Sequence, residues 1–162
     1  MWRVSKILVP TDFSKASEAA LDTAIEIAKK FDASIVLVHA YQLPVYAYPT
    51  SPLVPLAEFS IEVEQAAMKA LAATAGAHQR GVPMQTGLYL GNPWEQILKA
   101  AKEHDVGLIV MASRGLRGLP RALVGSTAER VVRYATVPVM TMHEPPETLA
   151  PSVRPSSEAP QA

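Results

Sequence analysis

Ser34-Ile35-Val36-Leu37-Val38-His39 is apolar on successive residues rather than on alternate ones. A strand of that kind has both faces covered, as in a parallel sheet packed between helices. Upstream, Ile7-Leu8-Val9 is a second short apolar run, stopped by Pro10. Ser14 stands where a helix cap belongs, ahead of Ala20, Leu21, Ala24, Ile25 and Ala28 at helical spacing. Strand, loop, helix, strand is the opening of a βαβ unit. Downstream, Pro44, Pro49, Pro52 and Pro55 make residues 42–57 an extended connection. The Ala-rich stretch Phe59 to His78 predicts a second helix, and Met84 to Leu90 a third strand.

Asn92, Pro93 and Glu95 supply a cap, a first-turn proline and an acidic first turn for a helix running towards Lys102. Val106 to Met111 reads as a fourth strand, and Val137 to Met142 as a fifth. Between them, Ser126 to Tyr134 is a helix in which Ser126 and Glu129 have capping-box spacing. The alternation predicts an α/β fold, a doubly wound five-stranded parallel sheet flanked by helices on both faces. Such sheets bind ligands beyond the carboxyl ends of their strands, where strand order reverses. The loops after the first and fourth strands are therefore the places to search.

The chain has 162 residues, the size of one domain with a single core. Residues 1–144 carry the periodic pattern; residues 145–162, with Pro145, Pro146, Pro151, Pro155 and Pro160, read as a disordered tail. Lys and Arg number 15 and so do Asp and Glu, so no net field draws in nucleic acid or an acidic membrane. Nothing approaches the roughly 20-residue apolar run that spans a bilayer. The opening Met1-Trp2-Arg3-Val4-Ser5-Lys6 lacks the long apolar stretch of a secretion signal, and a cytoplasmic location is the expectation. With no cysteine, thiol and disulfide chemistry is excluded, and the four His form no metal-binding spacing.

Met111-Ala112-Ser113-Arg114-Gly115-Leu116-Arg117-Gly118-Leu119-Pro120-Arg121-Ala122-Leu123-Val124-Gly125-Ser126-Thr127 carries the most chemistry. Glycines let backbone N–H groups approach phosphate oxygens, and a helix N-terminus adds partial positive charge. The same glycines equally suit a plain turn, with Ser126 as a plain cap, and residue chemistry alone leaves both open. No GKS or GKT follows, so the loop is not a P-loop, and the compact GxGxxG of dinucleotide folds is missing.

The loop does resemble that of the ATP-binding universal stress proteins, Gly-x2-Gly-x9-Gly-Ser/Thr. Gly115, nine residues and Gly125-Ser126 match, with Ala112 at the first glycine. The resemblance extends through Ile7-Leu8-Val9-Pro10-Thr11-Asp12-Phe13-Ser14, Val36-Leu37-Val38-His39-Ala40 and Glu129-Arg130-Val131-Val132 to Val137-Pro138-Val139, roughly residues 4 to 142. It implies an adenine nucleotide alpha hydrolase-like sheet of order 3-2-1-4-5. It also implies ATP as the bound cofactor, with adenine and ribose contacts at Pro10, Thr11, Asp12, Ala40 and Met111. Phosphate contacts fall on Gly115, Gly125, Ser126 and Thr127, and Ala112 brings a methyl where the family's backbone approaches the nucleotide.

Asp12 is the acidic residue of these two loops and suits a ribose hydroxyl or a phosphate-bound Mg²⁺; an Asx-type turn cap for the first helix is the competing role. Arg114, Arg117 and Arg121 are assigned to solvent, and His39 to a hydrogen-bonded core position. The resulting expectation is a nucleotide-dependent stress or signalling module that holds ATP. The alternatives are a nucleotide-free dimerisation module of the same fold and a slow ATPase, for which only the arginines supply transition-state charge. A receiver domain fails because Pro10-Thr11-Asp12 and Tyr89-Leu90-Gly91 lack its clustered acids, and a flavin site because Asp12-Phe13-Ser14-Lys15 lacks its phosphate loop. The last strand, Val137 to Met142, at a sheet edge predicts a homodimer, as does the family resemblance.

Overall fold

The computed structural model of the chain describes residues 3–43, 56–78, 80–113 and 124–143. The elements in order are β1 (Lys6–Pro10), α1 (Lys15–Phe31), β2 (Ser34–Tyr41), α2 (Leu56–Ala77), β3 (Met84–Leu90), α3 (Pro93–Glu103), β4 (Leu108–Ala112), α4 (Ser126–Tyr134) and β5 (Val139–Met142). The strands form one parallel sheet ordered β3-β2-β1-β4-β5. This is the expected fold and the order that the resemblance implies. Most of the 42–57 connection and the whole 145–162 tail lie outside the described residues.

Successive side chains of a strand point to opposite faces, and the apolar runs therefore divide between two cores. Ile7, Val9, Ile35, Leu37, Leu108 and Val110 pack with Leu21, Ala24, Ile25 and Ala28 of α1 and Leu71 of α2. Leu8, Val36, Val38, Ile109 and Met111 pack with Ile97, Ala100 and Ala101 of α3 and Ala128 and Val131 of α4. The helices thus cover both faces. Among the described residues, no helix is long and apolar enough to cross a membrane.

Several boundaries move for identifiable reasons. Pro10 does not stop β1 but ends it: it pairs with Val38, and the next N–H, from Thr11, continues the ladder to the Val38 carbonyl at 2.8 Å. β2 runs on to Tyr41 because β3 accompanies it to the rung Tyr41–Leu90. The fourth strand begins at Leu108 rather than Val106, since Asp105 turns left-handed (φ 50°) and closes α3. The Asp105 N–H meets the Lys102 carbonyl at 3.2 Å and that of Val106 meets Ala101 at 3.1 Å, a Schellman motif. Asn92 is the N-cap of α3, but its side chain makes no capping bond. β5 starts at Val139, after Pro138.

β3 is tied down at the α3 side by Tyr89. Its ring lies back over Gly87, where a methyl group would sit 2.9 Å from it. The hydroxyl donates to Glu103 Oε2 at 3.0 Å and meets His104 Nε2 at 3.2 Å. Burial first, and then the hydrogen bond to Glu103, push the phenol up to about 12, so it remains a donor at any physiological pH.

Candidate functional site

β1 and β4 are parallel neighbours, paired Ile7–Leu108 and Leu8–Ile109, so both strands deliver their following loops to the same end of the sheet. With β2 on one side of β1 and β4 on the other, this is the point at which strand order reverses. Pro10, Thr11 and Asp12 leave β1 there, and Met111 and Ala112 end β4 beside them. Ala40 lies on β2, paired with Tyr89 and beyond the Pro10–Val38 rung.

The turn after β1 is built from its own hydroxyls. Thr11 is 6% exposed, and its Oγ1 accepts from the Phe13 N–H at 3.0 Å while lying 3.1 Å from Ser17 Oγ. Its N–H is held by Val38 and its carbonyl by His39 Nδ1 at 2.7 Å. Thr11 thus faces inward and shapes the turn. Phe13 takes a left-handed φ of 64°, a conformation uncommon for so bulky a residue. Asp12, half-buried, accepts at Oδ1 from the Ser14 N–H at 3.1 Å and from the Ser14 hydroxyl. The Asx turn that residue chemistry allowed for Asp12 is therefore present. Ser14 in turn caps α1, accepting from the Ser17 N–H at 3.2 Å.

At the end of β4, Met111 packs its side chain into the α3–α4 core, and Ala112 is half-buried, paired with Met142. Ser113 is only 1% exposed. Its N–H donates to Met142 at 2.7 Å, and its carbonyl accepts from the Gly125 N–H at 2.6 Å. The two ends of the glycine-punctuated segment are thereby pinned together, and α4 starts against the end of β4. Gly115, with Arg114, Arg117 and Arg121, lies outside the described residues.

Gly125, not Ser126, is the N-cap of α4, because the bond to Ser113 holds it extended (φ −73°, ψ 153°). The expected capping box is absent: Ser126 is the first helical residue, and the Glu129 carboxylate pairs with Arg133 at 2.8 Å. The N-cap, a glycine, brings no side-chain capping bond. The N–H groups of its first turn have no acceptor within the helix, and the macrodipole adds positive character there. Ser126 is exposed and Thr127 half-buried at that terminus. The arrangement suits an anion.

Among the described residues no group of three or more His, Cys, Asp or Glu is placed to hold a metal ion. The phosphate-borne mode of Mg²⁺, with one carboxylate and the phosphate oxygens as ligands, needs no such group. A separate groove of about 510 Å³ runs along α4, lined by Trp94, Ser126, Glu129, Arg130, Arg133 and Tyr134. Only Ser126 is shared with the strand-end site.

Sequence reasoning missed Ser17, Ser113 and the His39–Thr11 bond. Ser17 was findable, three residues after the Ser14 cap; Ser113 carried no signal, since its role depends on the return of the chain at Gly125.

Residues 3–143 match the family model described as Universal stress protein family. A universal stress protein of Methanocaldococcus jannaschii is 36% identical over 142 residues, covering 86% of this chain and 82% of that protein. Universal stress protein UspA from Lactobacillus plantarum has a structure similar to this one, with TM-score 0.67 and 29% identity over 86% of this chain and 98% of its own. A universal stress protein solved in complex with cAMP is similar at TM-score 0.57 and 25% identity, covering 87% of this chain and 98% of its own. The chain belongs to the universal stress protein family.

Proposed function

We propose that this chain is a nucleotide-dependent stress-response or signalling module that holds ATP, with Mg²⁺, across the ends of β1 and β4. The carrying observation is the bond from Gly125 to Ser113, which starts α4 against the end of β4, the strand that pairs with β1 ahead of Asp12. On this reading the main-chain N–H groups of Ser126 and Thr127, with the hydroxyls of these two residues and with Gly115, cradle the phosphates at the turn that Gly125 shapes. Asp12 takes the ribose or the phosphate-borne Mg²⁺. Pro10, Ala40, Met111 and Ala112 flank adenine, the buried Met111 by its main chain, and Thr11 acts by holding the turn. The relative crystallised with cAMP supports an adenine nucleotide as the ligand class. Equilibrium dialysis against ATP with and without Mg²⁺ tests the proposal: saturable binding at or below millimolar ATP is expected, and an unoccupied protein at millimolar ATP overturns it.

The β5 edge supports a second element of this reading. Val132 of α4 and Met140 of β5 are 52% and 39% exposed, β5 is the last strand of the sheet among the described residues, and Pro138 precedes β5 and removes no donor from it. A homodimer through Val137 to Met142 is expected, and light scattering that shows only monomer at high concentration overturns it. A dimer that leaves ATP unbound would favour the nucleotide-free module.

A further inference from the structure

The residues on either side of Asp12 are held by another strand. His39, near the end of β2, places Nδ1 2.7 Å from the Thr11 carbonyl. A carbonyl oxygen only accepts, so Nδ1 carries the proton and donates. The preceding residue, Val38, accepts from the Thr11 N–H at 2.8 Å. Thr11 is therefore clamped at both of its main-chain polar groups by consecutive residues of β2. The same imidazole lies 4.4 Å, centroid to centroid, from the Phe13 ring. Phe13 is the residue with the left-handed φ, and the ring contact supports a conformation that the backbone alone disfavours. Asp12 sits between these two supported residues.

We propose that His39 is a positioning residue for the nucleotide site: by holding the Thr11 carbonyl and backing Phe13 it fixes the turn that presents Asp12. This rests on the nucleotide reading above. The ring nitrogen responsible is Nδ1, and that makes the role separable from bulk packing. An asparagine amide nitrogen falls where Nδ1 lies; a glutamine amide falls nearer Nε2; leucine fills space and donates nothing.

Three variants, His39→Asn, His39→Gln and His39→Leu, are compared with wild type by ATP dialysis and by amide hydrogen exchange of Phe13 and Ser14 without nucleotide. His39→Asn is expected to bind ATP within about threefold of wild type, and His39→Gln and His39→Leu about tenfold more weakly, the usual effect of leaving a buried acceptor unpaired. Exchange at Phe13 and Ser14 is expected to quicken in the last two only. If wild type binds ATP and all three variants match it, or all three weaken equally, the positioning role is wrong while the nucleotide reading stands. If wild type fails to bind ATP, both fall. Unchanged exchange in His39→Leu removes the clamp whatever the nucleotide result.

Discussion

Gly107→Ala is expected to destabilise the fold by about 3 kcal/mol, at the upper end of overpacking costs, and to lower the melting temperature by roughly 6–12 °C for a chain of this size. A β-carbon at Gly107 would stand 2.2 Å from the Arg3 carbonyl oxygen and 3.1 Å from the Val4 α-carbon. These are backbone atoms, so no rotamer change relieves the clash. Nor does the chain have room to withdraw. Val4 is buried in the α1-side core, and the Gly107 N–H donates to the Lys6 carbonyl at 3.0 Å. The rungs Ile7–Leu108 and Leu8–Ile109 follow at once, and separating the strands would strain the pairing of β1 with β4. Gly76→Ala is the control. In α2, no described atom beyond the helix's own backbone and the neighbouring residues lies within 4 Å of the added methyl, so the same change is expected to be neutral or to stabilise by up to about 1 kcal/mol. Thermal unfolding of both variants checks the pair. A Gly107→Ala protein that melts within about 2 °C of wild type would show that Arg3 does not lie over β4.

The contrast between these two glycines bears on how far the sequence could be read. Gly76 sits in a segment whose helical pattern is local, and its role is legible there. Gly107 owes its importance to Arg3, distant along the chain, and nothing around Val106-Gly107-Leu108 announces that approach. The fold as a whole was legible because its determinants are also local. Ile35 to Val38 and Ile7 to Val9 are apolar on both faces, Ser14 caps α1 as read, and Met84 to Leu90 forms β3 with the expected limits. Errors cluster where a residue serves two elements. Val106 looks like strand by composition but gives its N–H to Ala101 to finish α3. Ser126 and Glu129 have the spacing of a capping box, yet the bond from Gly125 to Ser113 moves the cap back by one residue. The site follows the same rule. Its loops are found from strand order and the glycine spacing; the inward turn of Thr11, the left-handed Phe13 and the clamp from His39 arise only when β2 lies beside β1.

Ser126→Asp is expected to separate ligand binding from stability, with opposite signs. A carboxylate in the first turn of α4 interacts favourably with the helix dipole, adding about 0.3–1 kcal/mol to stability. Ser126 is exposed, and the N-cap of the helix is Gly125, which has no side-chain cap for the new charge to displace. If those amides cradle phosphate, the same carboxylate occupies the anion's place and repels it. Like charges about 4 Å apart near a protein surface cost on the order of 4 kcal/mol, and ATP affinity should fall by at least about a hundredfold. Ser126→Ala removes the hydroxyl while leaving the amides, and should weaken binding only about three- to tenfold. Dialysis against ATP and thermal melting of the same samples give both readings. A variant that melts at or above the wild-type temperature and no longer binds nucleotide identifies the α4 terminus as the phosphate site, since misfolding cannot account for it. Wild-type affinity in Ser126→Asp would mean that the triphosphate lies elsewhere, however well the strand ends converge.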